Sequence, residues 1–144
     1  MSKEQSEEDK LNNLAVEIRV LESTYNELTS RQNLLERALI ENRAALDSIK
    51  GLASKDVGEV LTQVGGGAML RSPPPDVDKV LVSVGADVVL EKTREEALAI
   101  IEERQKEVEK SIVSVVGQRE ELKQRLEADQ EVLQALVSSA GQKG

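Results

Sequence analysis

The chain reads as an α+β protein, mainly α: a long antiparallel two-helix coiled coil with two central β-hairpins that form part of an intersubunit β-barrel. Three observations predict this. Two long tracts carry apolar residues at alternating spacings of three and four. The stretch between them is rich in Gly, Pro and β-branched residues. The composition suits rods: of 144 residues 39% are hydrophobic and 32% charged, Tyr occurs once, and Phe, Trp, His and Cys are absent. With so few rings the chain cannot fill a thick core and buries a thin seam instead. Its length suggests one domain, residues 1–144.

The first helix is expected over residues 7–50. Its seam runs Leu11, Leu14, Ile18, Leu21, Tyr25, Leu28, Gln32, Leu35, Leu39, Asn42, Leu46, Ile49. A repeat averaging 3.5 residues marks a left-handed coiled coil. Lys50 followed by Gly51 reads as a basic last turn and a glycine cap.

The C-terminal helix is expected over 94–140, with the seam Leu98, Ile101, Gln105, Val108, Ile112, Val115, Arg119, Leu122, Leu126, Asp129, Leu133, Leu136. Thr93 and Glu96 have the spacing of a capping box. Gly117, inside the helix, should cost about 1 kcal/mol relative to Ala, and Gly141 suits the end. The two seams are equally long, which favours pairing within one chain over two separate intermolecular coiled coils. Antiparallel pairing sets Leu11 opposite Leu136, Leu35 opposite Ile112, and Ile49 opposite Leu98. It also brings Asn42 to Gln105 as a polar layer that fixes register. Gln32, Arg119 and Asp129 then face apolar partners and are expected to reach solvent at the seam edge.

The middle, 58–92, contains a repeat. "VLTQVGGGAML" from Val60 aligns with "VLVSVGADVVL" from Val80, with identities at Val60/Val80, Leu61/Leu81, Val64/Val84, Gly65/Gly85 and Leu70/Leu90. Each copy reads as strand, glycine-led turn and strand, a β-hairpin. Pro73, Pro74 and Pro75 cannot sit in a central strand, so they form the connection. Isolated hairpins are marginal in water, and four short strands leave open edges. The strands therefore look like an assembly device completed by other subunits. Val60, Leu61, Val64, Met69, Leu70, Val80, Leu81, Val82, Val84, Val88, Val89 and Leu90 are the assembly candidates. Gly65, Gly66, Gly67 and Gly85 are the turn glycines.

Several functions are argued against. The net charge of −8 opposes a nucleic-acid partner, which needs a basic stripe. No run of about 18 apolar residues offers a membrane span, and the charged start lacks the apolar core of a signal peptide. The cytoplasm is the simplest location. Consecutive glycines can cradle phosphate, but no Lys-Ser/Thr follows Gly67 and no helix begins there, so a hairpin turn is the plainer reading. Without His or Cys, and with no nucleophile beside a base, no catalytic residue, metal site or cofactor is assigned.

The segment "DKVLVSVGADVVLEKTREEALAIIEER", Asp78 to Arg104, together with "VLTQVGGGAML", resembles the alpha-type subunits of prefoldin, an archaeal and eukaryotic co-chaperone. The order helix, two hairpins, helix is theirs, and two hairpins rather than one choose the alpha type over the beta type. The proline-rich link and the scarcity of aromatics depart from the pattern. The resemblance implies a hexamer of two alpha and four beta subunits, a double β-barrel platform and six coiled-coil tentacles. It further implies holding of unfolded polypeptides without ATP and their transfer to a group II chaperonin. Unfolded clients, beta subunits and the chaperonin are thus the expected partners. Both ends of the chain map to the tentacle tip, where Leu11, Leu14, Val132, Leu133, Leu136 and Val137 are the client-contact candidates. A specific coiled-coil scaffold or adaptor assembled through the same hairpins is the alternative.

Overall fold

The computed structural model describes residues 3–142. Element order is α1 (Lys3–Leu52), β1 (Val60–Gly65), β2 (Ala68–Ser72), β3 (Lys79–Gly85), β4 (Val88–Thr93) and α2 (Arg94–Gln142). The chain divides into two compact units, Met1–Glu36 with Lys110–Gly144, and Arg37–Glu109. Both helices run through both units.

In each unit the helices pair antiparallel. In the first, Arg125 meets Glu17 at 3.0 Å, and Arg119 reaches Gln32 and Tyr25. In the second, Lys50 lies 3.8 Å from Glu102 and Arg43 lies 3.9 Å from Glu109. In each unit the α2 number falls as the α1 number rises. Every residue of both expected seams is buried or half-buried, with Ile18, Leu21, Leu46, Ile101 and Val115 the most enclosed. Burying such side chains, each worth about 1.5–3 kcal/mol, is what holds the rods. The exposed cross-helix ion pairs add at most about 1 kcal/mol each.

The polar seam positions behave differently from expectation. Arg119, Gln32 and Asp129 are half-buried rather than at the solvated edge. Arg119 donates to the Gln32 amide oxygen and to the Tyr25 hydroxyl, so the two helices share a polar layer there. Gln105 donates to Glu109 on its own helix at 3.2 Å. Asp129 Oδ2 is buried and makes no hydrogen bond among the described residues.

Helix ends also differ in detail. α1 passes through Gly51, which does not take the left-handed conformation of a glycine cap. It finishes instead with Ser54 N–H donating to the Gly51 carbonyl at 3.2 Å. Gly141 lies within α2. The α2 start is as read: Thr93 Oγ1 accepts from the Glu96 backbone N–H at 3.2 Å, and Glu95 and Glu96 complement the helix dipole.

β1 pairs with β2, and β3 with β4, as two separate antiparallel two-stranded sheets. The sequence repeat is a repeat of register. Gln63 opposes Met69 as Ser83 opposes Val89, Gly65 opposes Ala68 as Gly85 opposes Val88, and each ladder shifts just before its glycine. The reason for a glycine in both copies is backbone geometry. Gly65 and Gly85 have φ of 105° and 102°, a region that side chains rarely enter. The central turn residues, Gly66–Gly67 and Ala86–Asp87, all have positive φ, as a type I′ turn requires.

The hairpins differ in what supports them. Val82 of β3 is buried along with Ala97 and Ile101 at the start of α2. Arg104 donates to the Ser83 carbonyl, and Arg94 N–H donates to the Asp78 carbonyl at 3.2 Å. In β1–β2, by contrast, every residue except the half-buried Val60 is exposed.

Candidate functional site

Two surfaces stand out, one in each unit. On the hairpins of the second unit, Leu61, Val64, Met69, Leu70, Leu81, Val84, Val88, Val89 and Leu90 are all exposed, Leu81 by 71%. Four strands so apolar, with unpaired edges, form an incomplete sheet system that association would complete. Val60 and Val80 are half-buried. Val82 is a correction to the assembly set: at 5% exposure it belongs to the core beneath its own hairpin, because alternation along β3 turns it toward α2 while Leu81 and Ser83 point away. The glycines at 65–67 and 85 shape turns that lead into strands.

The second surface lies in the first unit, where α1 begins and α2 ends. Leu11 and Leu136 share a cavity of about 260 Å³ with Ser139, Ala140, Glu4, Glu7 and Glu8. Leu14 and Leu133 are half-buried in the seam beside them. Val132 and Val137 project outward and are 51% and 57% exposed. The six tip candidates therefore divide into four seam residues and two outward valines. Val16, Val20, Leu34 and Val113 are further exposed apolar residues of this unit. The seam pattern passes over them because they fall outside its three-four spacing; apolar residues that break the series were the available signal.

Among the described residues no group of three acidic, His or Cys side chains could hold a metal, and no helix is long and apolar enough to cross a membrane.

Residues 21–139 match the family model for prefoldin subunits. The chain belongs to the prefoldin family. Within prefoldin its similarity is to alpha subunits. It is 35% identical over 101 residues to prefoldin subunit alpha of Methanoregula boonei, covering 65% of this chain and 66% of that one. Against prefoldin subunit alpha of Nitrosopumilus maritimus it is 29% identical over 144 residues, covering 100% of this chain and 96% of that one. Among solved structures, filamentous PFD from Methanocaldococcus jannaschii superposes with a TM-score of 0.64 at 28% identity, covering 77% of this chain and 93% of that one. The chain is thus a chaperone subunit, not an enzyme.

Proposed function

We propose that this chain is the alpha subunit of a two-alpha, four-beta prefoldin that holds unfolded polypeptides at its tips in the cytoplasm, without ATP, and passes them to a group II chaperonin. In this reading the whole chain acts as one prefoldin-like domain. Its hairpins contribute to a shared β-barrel through Leu61, Val64, Met69, Leu70, Leu81, Val84, Val88, Val89 and Leu90. The observation that carries the reading is the pairing of two incomplete apolar surfaces, one suited to permanent association and the other to transient contact.

At the tip, Leu11 and Leu136 lie beside a cavity, and Val132 and Val137 are already exposed. Asp129 weakens the nearby seam, since a buried acceptor left unpaired costs about 1–3 kcal/mol. Local opening there exposes Leu14 and Leu133 as well. Burial of apolar surface is non-directional, so the contact accepts many sequences. Each contact is weak, and several arms engaging one client raise the avidity while leaving each contact free to release.

The test is co-expression with beta subunits, mass measurement of the complex, and light scattering of several denatured proteins as they aggregate. Removing residues 1–14 and 130–144 is expected to spare assembly and abolish protection. Protection by the truncated complex would refute the tip assignment, and suppression limited to one folded partner would favour the adaptor reading.

A further inference from the structure

We propose that the first hairpin of one copy of this chain docks face to face on the second hairpin of another copy, keyed by charges that change sign between the two repeats; the proposal rests on the assembly reading above and names one partner. Alternation along the strands gives each hairpin two faces. In the second hairpin one face carries the buried Val82, and the other carries Leu81, exposed and directly opposite Glu91. The matching face of the first hairpin carries Leu61 directly opposite Arg71. Along these outward faces Leu61 corresponds to Leu81, Met69 to Val89 and Gln63 to Ser83, so apolar matches apolar and polar matches polar. The charged positions reverse instead: Glu59 becomes Lys79, and Arg71 becomes Glu91. On the opposite faces no charge reverses, and Val60/Val80 and Leu70/Leu90 are identical.

When two similar elements pack about a local two-fold axis, residues near the axis meet their own equivalents. Glu59 stands beside Arg71 at 3.5 Å, with the arginine side chain 80% exposed. Lys79 and Glu91 hold the equivalent places and form no ion pair of their own among the described residues. Laying the first face on the second closes a ring of four alternating charges, Glu59, Arg71, Glu91 and Lys79, beside Leu61 and Leu81. A first hairpin laid on another first hairpin in the same way sets Arg71 against Arg71 and Glu59 against Glu59. Two second hairpins repeat the conflict, and like charges at an interface select against the wrong partner. Within one chain the hairpins are separate sheets whose outward apolar residues stay exposed, so the complementary face comes from a second copy. Two-fold symmetry makes the contact twice, since each copy offers both faces.

The test uses the full-length chain without other subunits, its self-association measured by sedimentation. In one variant, Glu59→Lys with Arg71→Glu gives the first hairpin the charges of the second. In the other, Lys79→Glu with Glu91→Arg does the converse. Both variants keep one acid and one base at these places in every hairpin. Each alone is expected to self-associate about a hundredfold more weakly than the parent, about tenfold for each of the two contacts, with the gap narrowing as salt rises. Mixed, the two variants are expected to associate as the parent does, because every face then meets its opposite; two misfolded chains would not do so. A monomeric parent, variants that associate like the parent, or a mixture no tighter than its components overturns the pairing. In those cases a complex with beta subunits that still protects aggregating clients leaves the holding function standing. A chain that joins neither its own copies nor beta subunits overturns both.

Discussion

The Arg119 guanidinium carbon lies 4.8 Å from the centroid of the Tyr25 ring, and Arg119 Nη2 donates to the Tyr25 hydroxyl at 2.9 Å. One side chain of α2 thereby engages the single aromatic residue of the chain through both its ring and its hydroxyl, while Nη1 reaches Gln32. A layer with this geometry works in one alignment of the helices. Leucines alone tolerate slippage; a guanidinium that has left water does not. Tyr25→Leu is expected to cost about 1–3 kcal/mol, because Arg119 keeps its desolvation and loses the hydroxyl and ring of Tyr25, with only Gln32 left to it. Tyr25→Leu with Gln32→Leu and Arg119→Leu should recover most of that loss. Thermal unfolding of the single and combined variants checks this, and additive losses would show that the layer is not coupled.

The same layer marks what could be read from the amino acids alone. Spacing placed Tyr25, Gln32 and Arg119 in the seams, since a 3.5-residue period depends on position and not on chemistry. It did not show that Arg119 would bridge to Tyr25, because a long side chain reaches about a turn away from its opposite number. The hairpins were legible because their repeat imposes the same φ at Gly65 and Gly85. Val82 is buried where Leu81 is exposed, a division that period-two alternation predicts without saying which of the two faces inward. Which face turns toward α2 depends on tertiary packing that no strand pattern contains.

The two hairpins should differ in dynamics before assembly. β3–β4 is held by buried Val82, by Arg104 on the Ser83 carbonyl and by Arg94 on Asp78. For β1–β2 the pairing of Arg71 with Glu59 at 3.5 Å is an exposed contact of little worth. Amide hydrogen exchange on the chain without partner subunits is expected to protect Leu81 and Ser83 more than Leu61 and Gln63. In the assembled complex the difference should vanish. Equal protection in the free chain would show that the first hairpin is self-sufficient.

The turns offer a contrast of sign. Ala86 sits at φ 50°, where a Cβ costs about 1–2 kcal/mol, so Ala86→Gly should stabilise the second hairpin despite the added backbone entropy. Gly66, at φ 59°, occupies the equivalent place in the first copy, and Gly66→Val should destabilise by a similar amount. Space is not the issue at Gly66, since a Cβ there meets nothing within 4 Å. Hydrogen exchange of strand amides in the assembled complex reads both changes, and opposite signs are expected.

Gly117 lies in the middle of α2 with ordinary helical φ and open space where a Cβ would point. Gly117→Ala is therefore expected to raise stability by about 0.5–1 kcal/mol. A loss in thermal unfolding would mean that this position meets something in the assembly.

Asp129 is the clearest case in which stability and holding are expected to oppose each other. It occupies a seam position, yet one carboxylate oxygen is buried without a hydrogen bond among the described residues. Nearby, Arg125 is engaged with Glu17 at 3.0 Å. An apolar residue at this seam position would extend the row formed by Leu122, Leu126, Leu133 and Leu136. Asp129→Leu is expected to stabilise the paired helices by about 1–3 kcal/mol, the cost of the unpaired acceptor. It should also reduce opening around Leu14 and Leu133, and with it the protection of aggregating clients. Asp129→Ser, smaller and still polar, should leave protection near its original level. Unfolding and light scattering on the same complexes separate the two effects: higher stability with undiminished protection would show that clients are held on the outward valines without any parting of the seam.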